Sequence, residues 1–204
     1  MNLAIIPARG GSKRIPRKNI KDFLGKPIIS YSINAAIESN LFDEIMVSTD
    51  DVEIAEVAKE FGAQIPFYRS ERNSNDFATT FDVIEEVVSN YLANGREFNT
   101  ICCIYPCAPL IDSAKIVEAY GYMTDNNLDS VIPVVEYTTP IQRSFKIQND
   151  KLDFFFNEFI NSRSQDLEKA YFDAGQFYWI QSKTFNLNFR YRQTRIKFRK
   201  CHLI

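Results

Sequence analysis

A doubly wound α/β fold on a mostly parallel, Rossmann-like sheet is what this sequence predicts, and three observations predict it. Short apolar runs alternate with amphipathic stretches from the first residue; the links between them are brief; and a glycine turn rich in cations follows the first run. The 204 residues suit one domain, or one domain with a protruding arm.

Each element has its own reason. Residues 3–7 (LAIIP) are continuously apolar, as a strand covered on both faces would be. Residues 28–39 suit a helix with Ile29, Ile33, Ala36 and Ile37 on one face. A second strand fits 44–49, and a helix over 51–61 closes at Gly62. A third strand is expected over 63–68, an edge or short piece because it holds Pro66. A helix over 79–94 stops at Gly95, a fourth strand covers 100–105, and a helix over 112–124 opens on Asp112 as N-cap. Beyond about 130 the rhythm changes. VIPVVEY reads as a strand, SFKIQNDKLDFFF as a hairpin turning at Asn149 and Asp150, and YFDAGQFYWI as a last strand. This organisation predicts a main domain over 1–189, with an arm at about 130–170, and an atypical basic tail over 190–204.

Composition removes several classes. Forty-five per cent hydrophobic and 25% charged residues exclude a disordered chain, and no apolar run reaches the ~18 residues of a membrane span. The N-terminus has no charged leader or cleavage site, so a cytoplasmic protein is expected. The net charge of −2 divides into +6 over 190–204 and −8 over the rest, an acidic body with no nucleic-acid footprint. Cys102, Cys103, Cys107 and Cys201 lack the spacing of a metal cluster and read as reduced thiols, the first three in or beside a core strand.

The densest chemical signal is IPARGGSKRIPRKN at residues 6–19, directly after the first strand. Gly10 and Gly11 let the backbone approach an anion and turn its N–H groups inward, and Ser12 adds a hydroxyl. Arg9, Lys13, Arg14, Arg17 and Lys18 place five cations within ten residues at the sheet's carboxyl edge, which suits a polyphosphate. Neither the Walker A nor the G-x-G-x-x-G pattern is matched.

These residues, followed by LGKPII, resemble the N-terminal signature of the acylneuraminate cytidylyltransferases, or CMP-sialic acid synthetases. VSTDD at 47–51, Arg69 and Asp76 in YRSERNSND, the turn Pro106–Leu110 and SRSQDLEKAYFDAGQFYW at 162–179 continue the match. The last segment resembles the branch that activates pseudaminic acid. The resemblance implies a doubly wound nucleotidyltransferase with a small dimerisation arm, working as a homodimer. It implies transfer of CMP from CTP to a nine-carbon 2-keto sugar acid, with release of pyrophosphate and use of Mg2+. By position, Arg9 and Lys18 match catalytic residues. Ala8, Gly10, Gly11, Ser12, Lys13, Asn19, Arg69 and Thr80 match the nucleotide side, and Tyr105, Gln142, Arg163 and Asp173 the sugar side. Each has a plainer alternative: Arg69 a surface cation, Tyr105 a sheet-end aromatic, Arg163 one end of a loop ion pair, Asp51 only a helix cap. The family's Asp-X-Asp metal element is unmatched, since residues 190–204 contain no carboxylate side chain. The tail therefore reads as truncated or frame-shifted, no metal ligand is assigned, and Asp173 is the nearest substitute. The alternative function is a nucleotide-binding remnant with impaired catalysis.

Overall fold

The computed structural model describes residues 1–184 and, for the backbone, 199–202. Residues 185–198 and 203–204, which hold most of the basic tail singled out above, lie outside the described residues. No described helix is long and apolar enough to cross a membrane.

The chain begins with strand β1 (Asn2–Pro7). A ribbon of β2 (Asp22–Phe23) and β3 (Lys26–Pro27) follows, turning through Leu24 and Gly25 at φ 52° and 85°. The ribbon was not foreseen; two-residue strands leave no apolar periodicity to read. Helix α1 (Ile28–Glu38) leads to β4 (Glu44–Ser48), parallel to β1 with Pro7 opposite Ser48. Helix α2 (Val52–Glu60) is capped by the Asp51 carboxylate, which accepts from the Ile54 N–H, and ends at Gly62 with φ 94°. The strand expected over 63–68 is reduced to one bridge, Met46 to Gln64, because Pro66 has no N–H for a ladder.

Helix α3 (Thr80–Ala93) opens with a reciprocal capping box between Thr79 and Asp82. Strand β5 (Thr100–Ile104) lies parallel to β1, and helix α4 (Ser113–Asp125) starts at Asp112 as expected. Strand β6 (Ser130–Glu136) comes next, then the hairpin of β7 (Phe145–Gln148) and β8 (Lys151–Phe154). Its turn residues Asn149 and Asp150 both have positive φ, which the NG- and ND-type turn of a tight hairpin requires. The single strand read over 171–180 is two: β9 (Tyr171–Asp173) on β6, and β10 (Phe177–Gln181) antiparallel between β5 and β6. Gly175, at φ 64°, makes the break. With β11 (Arg199–His202) the main order is β11-β6-β10-β5-β1-β4. Strands β4, β1, β5 and β6 run one way and β10 the other, so the sheet is mixed and mostly parallel.

Alternation along the central strands explains the continuous apolar runs. Ala4, Ile6, Cys102 and Ile104 face a core shared with Ile29 and Ile33 of α1, Ile54 of α2 and Ile116 of α4. Leu3, Ile5, Ile101 and Cys103 face the opposite core with Ile84, Val87 and Tyr91 of α3. Both faces are covered, so the interior positions of β1 and β5 are apolar on both sides. Ile37 departs from the sequence reading and is 42% exposed. Trp179, fully buried, stacks on Phe42 and donates its indole N–H to the Ile116 carbonyl at 3.1 Å, which fixes β10 against α4.

Among the described residues two compact units result, one of Met1–Pro133 with 175–184 and 199–201, the other of Val134–Ala174 with His202. The second contains the hairpin and exposes Phe145, Ile147, Leu152, Phe155, Phe156 and Ile160.

Candidate active site

Parallel strands end at a common edge, and there the loops after β1, β4 and β5 converge. They bound an open cleft of about 870 Å³, lined among the described residues by five cationic side chains, Arg9, Lys13, Arg14, Lys18 and Arg69, and one carboxylate, Asp76. That excess of positive charge suits a polyphosphate.

The glycine loop is held from the β4 side. The Ala8 N–H donates to the Ser48 carbonyl at 2.9 Å, and the Gly10 N–H donates to Asp50 Oδ1 at 2.8 Å. A Cβ on Gly10 would lie 2.6 Å from Asp51 Oδ2, so the loop needs glycine there for close approach to a carboxylate. Arg17 sits in the left-handed region at φ 54°. Its guanidinium donates to both oxygens of Asp51, at 2.5 and 3.0 Å, and also reaches Glu53. The Arg17 hydrogen bond, helped by the Ile54 N–H, holds the Asp51 carboxyl below its ordinary range against the opposing effect of burial. Asn19 closes the loop by donating to the Arg9 carbonyl at 2.9 Å. This corrects one expectation: the Gly10 N–H is spent on Asp50 rather than turned toward a ligand.

On the other side, the 70–79 segment reaches over the cleft. Arg9 Nη2 donates to Asp76 Oδ1 at 2.6 Å, and Lys13 pairs with the second oxygen. Lys13 first and Arg9 second hold the Asp76 carboxyl below its usual range. Arg69 is 8% exposed, so it is not the surface cation of the plainer reading. Its Nε donates to Ser48 Oγ at 3.0 Å and its Nη2 to the Ser48 carbonyl, while burial pulls its pKa down to about 10. A buried guanidinium held by neutral acceptors is poised for an anion. The hydroxyls of Thr80 and Tyr105 lie 3.2 Å apart, and Tyr105 packs edge-on against Tyr178. Cys107 donates its thiol to Asn19 Oδ1 at 3.3 Å, while burial raises its pKa; Cys102 and Cys103 are buried free thiols, as expected.

The structure thus brings Arg9, Ser12, Lys13, Lys18, Asn19, Arg69, Thr80 and Tyr105 to one cleft. Ala8, Gly10 and Gly11 form the loop behind it. Gln142, Arg163 and Asp173 belong to the other compact unit. There Gln142 donates to the Glu168 carbonyl and Arg163 forms the loop ion pair with Asp166 at 2.7 Å. Asp173 lies opposite Val134 in the sheet. The clamp of Arg17 on Asp51 was missed, since 34 residues separate the partners and no local pattern links them.

Cytidylyltransferases typically use a divalent metal. Among the described residues no three His, Cys, Asp or Glu side chains cluster to hold one. Asp76 is committed to two cations, Asp50 to a backbone N–H and Asp51 to Arg17. Among the described residues, then, no ready-made protein cage for the ion is assembled.

Comparison with known proteins agrees with this geometry. The profile of the family described as cytidylyltransferase matches residues 3–204. A pseudaminic acid cytidylyltransferase of Campylobacter jejuni is 46% identical over 183 residues, which are 89% of this chain and 79% of that protein. An N-acylneuraminate cytidylyltransferase A of Danio rerio is 34% identical, over 88% of this chain and 41% of its own. Among solved structures, a CMP:2-keto-3-deoxy-manno-octonic acid synthetase complexed with CTP shares the fold at a TM-score of 0.72. It is 18% identical, and the match covers 99% of this chain and 89% of that one.

Proposed function

The chain belongs to the cytidylyltransferase family, and from that premise we propose that it transfers CMP from CTP to pseudaminic acid with release of pyrophosphate. The observation that carries this reading is the 46% identity to a pseudaminic acid cytidylyltransferase across most of both chains. The cation-lined cleft supports it.

In this reading the sugar's anomeric hydroxyl attacks the α-phosphorus of CTP, the bond from that phosphorus to the bridging oxygen breaks, and pyrophosphate leaves. Arg9 and Lys18 neutralise charge on the α-phosphate and the leaving group. Ser12 and Lys13 hold the outer phosphates, while Arg69, Asn19 and Thr80 hold the nucleotide. Catalysis of this kind is mainly positioning and charge stabilisation, which cations on a rigid loop provide. Tyr105, which lines the same cleft, serves the sugar. The exposed aromatic face of the second unit forms a homodimer contact, and the enzyme acts in the cytoplasm. Sedimentation at micromolar concentration tests the dimer, with a monomer counting against it.

The decisive assay is pyrophosphate release with CTP and either pseudaminic or N-acetylneuraminic acid. Turnover with pseudaminic acid and much less with the other sugar is expected; turnover with neither sugar overturns the reading. One observation favours a second reading, a nucleotide-binding relative with impaired turnover: among the described residues the cleft's one carboxylate is already paired, and no ready-made protein cage for a metal is assembled. CTP binding without turnover at high magnesium would select it.

A further inference from the structure

Among the described residues that line the cleft Asp76 is the one carboxylate, and it grips Arg9 and Lys13, two of the cations assigned to phosphate. The segment that carries it is tied down at both ends. The Ser70 N–H donates to Glu86 at 2.7 Å, Asn73 also reaches Glu86, and the Thr79 N–H donates to Asp82 at 2.7 Å. Between those anchors Asn75 Oδ1 accepts from the N–H groups of Phe77 and Ala78, a local turn that presents Asp76 toward the basic loop. The Asp76 side chain is 36% exposed and that of Lys13 81%, so these pairs are solvated and readily broken. They differ in kind from the Arg17 pair, whose Asp51 partner is 21% exposed and also caps a helix.

Resting on the reading above, we propose that Asp76 is an internal counter-ion that occupies Arg9 and Lys13 while the cleft is empty and yields them to phosphate. Cations crowded on one loop repel each other, and a carboxylate placed between two of them relieves that cost. A triphosphate brings more negative charge to the same two side chains and repels the carboxylate, which leaves by side-chain rotation. On product formation the exchange runs backward, so Asp76 competes with pyrophosphate and assists its release. Asp76 is therefore a positioning residue for the phosphate-binding cations, and its removal strengthens phosphate binding.

The test is isothermal titration of the full chain, without metal and at low salt, with inorganic pyrophosphate and separately with CTP. Asp76→Asn is expected to bind pyrophosphate about threefold to tenfold more tightly than wild type, the range two solvated ion pairs can supply. Asp76→Glu, which keeps the charge, is expected to stay within about twofold of wild type, and the gain in Asp76→Asn should shrink toward ~0.5 M salt. In turnover, Asp76→Asn should lower KM for CTP, lower kcat, and make pyrophosphate a stronger product inhibitor. A misfolded or loosened variant cannot gain affinity, so the sign is diagnostic. Unchanged or weaker pyrophosphate binding by Asp76→Asn, with wild type binding normally, overturns the exchange alone. Failure of wild type to bind pyrophosphate or CTP overturns both the cleft assignment and the exchange.

Discussion

The basic loop is held by carboxylates at two places, and the two behave as different kinds of contact. At the β4 side, Asp50 takes the Gly10 N–H, while Asp51 takes Arg17, caps α2 and presses against Gly10. At the cleft side, Asp76 holds Arg9 and Lys13 through solvated ion pairs. One set fixes where the backbone runs; the other holds side chains that the proposed function assigns to phosphate. The difference lies in burial and in how many bonds each carboxylate makes, since a bond in a network is harder to replace with water than an isolated surface pair.

Removing a cation proposed to meet phosphate should have the largest effect. Arg9→Ala or Lys18→Ala is expected to cut turnover about a hundredfold to a thousandfold with the fold intact, as measured by pyrophosphate release beside circular dichroism. Near-wild-type rates with subsaturating CTP would remove both residues from the site. Next comes the fixed side. Gly10→Ala places a methyl 2.6 Å from Asp51 Oδ2 and should cost about 1–3 kcal/mol in urea unfolding, with a loss of turnover. Gly11→Ala meets nothing within 4 Å and should stay within about 0.5 kcal/mol of wild type. Equal stability of the two variants would show that the Asp51 contact does not constrain the loop.

A smaller effect separates the ion pair from the helix cap. Asp51→Asn keeps an N-cap acceptor but loses the charge facing Arg17. Because the native Asp51 pKa is depressed, its contribution to stability is present above the unfolded value of about 3.9 and is lost as pH falls through the lower native value. The unfolding midpoint of wild type should therefore drop more steeply below pH 4 than that of Asp51→Asn; parallel curves would discount the pair. Smallest of all, Lys13→Ala, which removes an 81% exposed side chain, should leave stability within about 0.5 kcal/mol and raise KM for CTP only severalfold. A loss of stability as large as that of Gly10→Ala would erase the distinction between the two regions.

The elements that the sequence determined are those whose signals are local. Strand β1 and helices α1 to α4 follow from runs and periods within a dozen residues, and the helix starts at Asp51 and Asp112 from single side chains that cap their own helices. The hairpin at Asn149 and Asp150 is equally local, since two adjacent residues that tolerate positive φ suffice. The crowding of cations over residues 9–18, on which the proposed phosphate site rests, could also be read directly, because it needs only residues close together after a strand. What only the tertiary structure decided involves partners distant in the chain. The splitting of 171–180 into β9 and β10 depends on which strands flank each piece. Likewise the use of the Gly10 N–H by Asp50, 40 residues away, and of Arg9 by Asp76, 67 away, arises because parallel strands carry their following loops to one edge. A sequence states which charges exist; which of them neutralise one another is set by distance in space, and that distance is a property of the folded sheet.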